Sequence, residues 1–250
     1  KERVENRMVI ADVTATGGLN ITATNGGLLL KTSKVSNSGS GPTTLTTSSN
    51  GTAGLTIDAN SSVSATASEI QLTTDRIQLD GTVNAGINRV VIKPLDTTRT
   101  VTLGGTDEDT KLNLTPTELN QITAQTLVLG WGDGSGGIQI KSPIQFYAGT
   151  TQALSLLQSA SGSITQDAGA TLQIPQLNAD AGFVDLRQAN DIQVISGRAH
   201  TGSFLLTSAS STGAMQIGTV DGVTGILASD QAATPTFYPV EITLNAPPAP

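Results

Sequence analysis

The chain has 250 residues, a net charge of −7 and a pI near 4.6, with 13% charged and 3% aromatic residues and no cysteine. So few lysines and arginines leave no electrostatic footprint for nucleic acid or an anionic membrane, and the lack of cysteine removes disulfides and thiolate metal sites. No apolar run reaches the eighteen or so residues that span a bilayer, yet 37% of the residues are hydrophobic and they recur regularly, so the composition is that of a folded chain with a thin core.

The first eight residues, KERVENRM, are charged and hold no apolar signal core. From Met8 to Leu79 the pattern is short alternation, in runs of about four to seven residues with an apolar side chain at every second position. That is the period of strands with one buried face. Gly17-Gly18, Asn25-Gly26-Gly27, Ser38-Gly39-Ser40-Gly41 and Asn50-Gly51 punctuate the runs as turns.

Residues 89–130 form the one irregular block. Three strand-like runs, Val90-Val91-Ile92, Val101-Thr102-Leu103 and Leu127-Val128-Leu129, surround a helix signal. Thr115-Pro116-Thr117-Glu118 reads as a capping box with proline at the first helical position. Leu119 and Ile122 give the helix an apolar side, and the spacing predicts a short helix near residues 115–124 before β pattern resumes.

A common shape, Gly-Leu-x-Ile or a close variant, recurs at residues 18–21, 27–30, 54–57, 137–140, 171–174 and 214–217. Strand starts fall roughly every eight to twelve residues, and two or three strands make a unit of about twenty to twenty-five. An all-β sandwich and a stacked solenoid both fit that spacing. Short, similar strands, few aromatics and Ser, Thr and Asn at alternate positions favour the solenoid, whose thin interior takes one Leu, Ile or Val per inward position. At about 4.8 Å per coil, ten or so coils would make a rod of about 50 Å. The solenoid is expected over residues 1–230. Residues 231–250 would hold a final strand, Val240-Glu241-Ile242-Thr243-Leu244, and a proline-rich tail or linker.

The block that runs from Ile92-Lys93-Pro94 through Arg99–Gly104, Leu112–Ala124, Thr126–Gly130 and Gly137–Ile140 resembles segments of very large exported bacterial proteins of the filamentous-haemagglutinin-like type. Residues 202–206 and 217–226 are similar to the same pattern, and the resemblance extends loosely over residues 15–230. It implies a right-handed parallel β-helix, secreted or on the bacterial cell surface, with an adhesive or structural role and no shared catalytic residues. Partners would be other copies of the chain, other surface proteins or host and matrix glycans. The secretion-recognition domain usual at the N-terminus of two-partner-secreted members is not evident.

Candidate chemistry is sparse. His200 is the only histidine, and Arg198-Ala199-His200-Thr201 offers no triad or metal spacing, so a surface or turn role is expected. Two oxygen-rich turns make Asp107, Asp109 and Asp133 candidates for calcium, although neither matches a known calcium loop and plain turns are the simpler reading. The acids are scattered along the chain rather than clustered as polysaccharide cleavage requires, and no catalytic residue is assigned. Thr14/Thr16, Thr22/Thr24 and Thr100/Thr102 read as ordinary threonine ladders rather than an ice-binding face. Trp131, between Gly130 and Gly132, is placed over a coil end, with exposure for ligand binding as the alternative. The sequence therefore points to a non-enzymatic rod segment, with a polysaccharide-active enzyme and a glycan- or ice-binding module as alternatives.

Overall fold

In a computed structural model the chain is a parallel β-helix; the structure describes residues 6–48, 54–106, 110–146, 150–209, 214–230, 232 and 234–244. Each coil lays short strands on the coil below in parallel register. Arg7 aligns with Gly27, Leu28 with Leu55 and Leu55 with Ile77, so successive turns take 20, 27 and 22 residues. The backbone hydrogen bonds run along the stack, and all of the strength of the sheets lies in that direction.

The N-terminal coils have three faces. The first face stacks Arg7–Ile10, Gly27–Leu30, Leu55–Ile57 and Ile77–Leu79. The second stacks Val13–Ala15, Lys34–Asn37, Ser62–Ala65 and Thr82–Asn84, and the third Leu19–Thr22, Thr43–Thr46, Ile70–Thr73 and Arg89–Lys93. Alternation decides what each face buries. Val13, Val35, Val63, Val83 and Ile122 form one inward column, and Leu45, Leu72, Ile92, Leu129 and Leu156 another. Apart from Val13 in the half-open first coil, these side chains are completely buried. A buried Leu, Ile or Val contributes roughly 1.5–3 kcal/mol, so a thin core still stabilises the rod because every rung adds to it.

The cross-section then changes. A fourth face appears, made of Lys111–Leu114, Thr100–Leu103, Ile138–Ile140, Ser163–Gln166, the start of Phe183–Ala199, Phe204–Ser208 and Val240–Leu244. Its first two strands are out of chain order. Lys111–Leu114 pairs with Thr100–Leu103 on the side away from Ile138–Ile140, so the chain steps back one rung before it goes forward. Asn113 holds this step, accepting from Thr102 Oγ1 at 2.7 Å and donating to Gly105 O at 3.1 Å. As the fourth face grows, the second dwindles to a corner. Leu172–Ala181 passes straight from one face to the next, with Pro175 at the bend, and Phe183–Ala199 does the same over 17 residues. Val240–Leu244, expected as a final strand, lies in register on Phe204–Ser208 and is the last rung of the fourth face.

The helix is real but shorter than the span 115–124. It covers Pro116–Leu119 with both halves of the capping box formed around Thr115 and Glu118. From Ile122 the chain is strand, because Ile122 and Thr123 pair with Val83 and Asn84 on the second face and Ile122 fills the core there. The helix occupies the place of a first-face strand. Below it, Glu118 Oε1 accepts from Leu79 N at 2.8 Å; above it, Asn120 Nδ2 donates to Gln145 O at 3.2 Å. The four-stranded first sheet thus ends on a side-chain carboxylate rather than on an open edge.

A small antiparallel hairpin, Thr219–Val220 with Val223–Thr224, lies on the outside of the third face. Asp221 and Gly222 both take positive φ (50° and 79°), the type I′ geometry of a two-residue turn. Val220 is buried and its carbonyl accepts from Ser196 Oγ at 3.3 Å, while Asp221 takes Arg89 at 3.1 Å across 132 residues of sequence. Arg89 is well exposed, so Arg89→Ala should cost under about 1 kcal/mol of global stability. The amides of Val220 and Thr224 should nonetheless exchange faster with solvent, which hydrogen-exchange mass spectrometry would read; unchanged protection there would show that the ion pair does not hold the hairpin.

Candidate functional site

The calcium candidates are not brought together. Asp107 and Asp109 lie outside the described residues, as do Tyr147 and the tail 245–250. Asp133 is exposed in the Gly-rich turn, and among the described residues no group of three or more His, Cys, Asp or Glu side chains converges.

Several of the described carboxylates are bound to backbone amides at coil corners. Asp58 accepts from Thr32 N, Asn60 N and Ser61 Oγ. Asp75 accepts from Leu95 N and Asp96 N, Asp12 from Lys34 N, and Asp230 from Ala232 N and Thr236 N. These bonds hold three carboxyls below their ordinary value of 3.8: Asp58 chiefly through Ser61, Asp96 through Thr98, and Asp230 through the Thr236 amide. A carboxyl whose pKa is lowered by folding stabilises the protein above its unfolded value and loses that effect as pH falls through the folded one. The melting temperature should therefore fall as pH drops below 3.8, and fall less steeply in the double variant D58N/D230N; equal slopes would show that these corners carry no proton linkage.

The corner between the third and fourth faces is different. Here the loop 130–137 and the turns at 157–162, 180–182 and 199–203 stack on one another. Gln158 N donates to Asp180 O, Ser159 N to Gly134 O, His200 N to Ala181 O and Thr201 N to Gly182 O, at 2.8–2.9 Å. The loop needs its glycines for close approach: Gly130 has φ +85°, and a Cβ there would sit 2.3 Å from Leu157 O. Trp131 is half-buried with Lys93 Nζ 3.7 Å from its ring centroid, so it packs over a neighbouring coil and its ring is engaged by a cation.

Within this corner His200 Nε2 meets Asp180 Oδ1 at 2.6 Å, with the two side chains 23% and 17% exposed. They come from adjacent coils, 20 residues apart. The bland turn role read for His200 thus becomes a defined side-chain pair. The signal that would have found it is the coil length at this height, 18 residues in the register that pairs Asp180 with Arg198, which brings the Asp180 and His200 corners together on adjacent rungs. Beside the pair, Gln158 is 3% exposed; its carbonyl accepts from Gly137 N at 3.3 Å. Gly132, Leu157, Gln158, Ser159, Ala160, Asp180 and His200 line a cleft of about 360 Å³, at the small end of ligand pockets. The cleft combines a carboxylate–imidazole pair and a primary amide with an apolar wall. It can hydrogen-bond a polar molecule in a fixed orientation.

No protein-family model, curated protein or solved structure matches the chain.

Proposed function

We propose that the chain is a rod segment of an exported bacterial surface protein, non-enzymatic, with an adhesive or structural role of the filamentous-haemagglutinin-like kind. The observation that carries this reading is where the acids go. Asp12, Asp58, Asp75, Asp230 and Glu118 are spent on backbone amides that shape corners and close a sheet edge, which is what a scaffold does with its carboxylates. The outward positions of the N-terminal coils support it. Thr14 and Ser36 meet at 3.4 Å on the second face, and Asn20, Thr44 and Gln71 stand in line on the third. Such ladders offer long hydroxyl and amide rows to other copies, other surface proteins or glycans.

Antibody raised against the chain should label the outside of intact cells that produce the full-length protein, and the purified chain should release no sugar from a panel of polysaccharides. Labelling confined to permeabilised cells would overturn the surface assignment. Steady release of reducing ends would overturn the non-enzymatic one and favour a polysaccharide-active β-helix.

A further inference from the structure

We infer that the cleft at Gln158, Asp180 and His200 is a binding site for a neutral hexopyranose ring. The inference rests on the adhesive reading for the source of the sugar, a surface glycan, but the site is argued from its own groups.

Three features set the chemistry. First, the charge is balanced inside the cleft: the one carboxylate that lines it is paired with the one imidazole, and neither lysine nor arginine is among the lining residues. A phosphate would meet the Asp180 carboxylate, and a free ammonium would compete with His200 for the same oxygen. A neutral ligand escapes both costs.

Second, hydrogen-bonding capacity is left over. Asp180 Oδ1 is taken by His200, and its Oδ2 accepts from no group among the described residues. Gln158 donates from its backbone to Asp180 O and accepts at Oε1, while its Nε2 is not among the buried unpartnered atoms and so keeps access to solvent in the cleft. That amide can donate to an oxygen that enters the cleft. An acceptor oxygen aside, one side of the cleft thus offers a donor and the other an acceptor. Vicinal hydroxyls, each both donor and acceptor, fit the two together, whereas a purely accepting or purely donating ligand fits only one.

Third, Leu157, Ala160 and the Cα of Gly132 make an apolar wall beside these groups. A pyranose has the matching arrangement, with hydroxyls around its rim and C–H groups on its face, so it can satisfy the polar groups and cover the wall at once.

The cleft is also rigid. Gln158 sits among glycines: a Cβ on Gly162 would lie 2.7 Å from its Oε1 and one on Gly134 3.2 Å from it. The backbone has closed around this side chain, which fixes its amide before any ligand arrives.

Saturation-transfer NMR on the whole chain tests the inference, in two arms: free methyl glycosides of glucose, galactose, mannose and N-acetylglucosamine, and the same sugars as terminal residues of short oligosaccharides. At least one ring should give a saturable signal. Its affinity should fall roughly ten-fold or more in Asp180→Asn and in His200→Ala, both at partly exposed positions where circular dichroism can verify the fold. Signal in the oligosaccharide arm alone identifies a glycan terminus; signal in both identifies the ring as sufficient, and either supports the site. No signal in either arm overturns it. So does binding of undiminished affinity in both variants, which would place the sugar elsewhere on the rod. Neither result touches the surface-labelling experiment, so a failed cleft and a failed surface assignment remain distinguishable.

Discussion

Glu118→Ala should lower the stability of the chain by about 3 kcal/mol. The carboxylate takes three donors: Leu79 N on Oε1, and Thr115 N and Thr115 Oγ1 on Oε2, all within 2.9 Å. Alanine leaves the Leu79 amide, on a buried rung of the first face, with no partner, and it removes one half of the helix cap. Glutamine is not a rescue. Its single carbonyl serves one side, and its NH₂ then faces an N–H donor, so Glu118→Gln should still cost more than about 1 kcal/mol. Chemical denaturation measures both, and hydrogen exchange at Leu79 locates the damage. An alanine variant as stable as the parent, with Leu79 still protected, would mean that the helix does not close the first sheet.

Asn190→Ala should be costlier, at about 4 kcal/mol. Asn190 is completely buried at the bulge where the fourth face hands over to the next. Its Nδ2 donates to Leu186 O and Thr207 O at 2.8 and 3.0 Å, and its Oδ1 accepts from Leu172 N at 2.9 Å and from Gln166 Nε2 at 2.7 Å. One side chain therefore pins three successive coils. Aspartate keeps the acceptors but turns a donor into a buried charge facing two carbonyls, so Asn190→Asp should be at least as harmful. Since a solenoid's coils touch only their neighbours, exchange should rise in rungs 163–208 and stay unchanged in rungs 27–93. Uniform loss of protection along the whole rod would instead show that the stack unfolds as one unit.

The two variants mark the limits of sequence reading here. Alternation told inside from outside along most of the chain: Val35, Val63 and Val83 are core, and Thr14, Asn20 and Thr44 point out. The capping box was legible because its residues are three apart. Glu118's bond to Leu79 was not, because it crosses 39 residues and depends on which rung lies beneath the helix. The same holds for the candidate site. His200 carried no local motif, and its pairing with Asp180 exists only once the coil length at that height is known. Coil length varies with the loops: Val184 aligns with Phe204, but Phe204 with Val240. A period of two says which way a side chain faces and is silent on which wall it belongs to. The hairpin of Thr219-Val220 and Val223-Thr224 was not among the sequence expectations, although Asp-Gly is a two-residue turn signal, and its place against Arg89 has no local signal at all.

The exchange of one face for another midway has a consequence for how such a chain can lengthen. In the N-terminal half every coil meets the same three walls above and below, so a copied coil inserted there would find matching neighbours and add about 4.8 Å. Around residues 100–157 the walls above and below differ, and the step back at Lys111 links rungs that a copy would separate. Duplication is thus tolerated on one side of the joint and forbidden at it. The joint is a fixed keystone, and the rod's length is a free variable set in whole coils between it and the end.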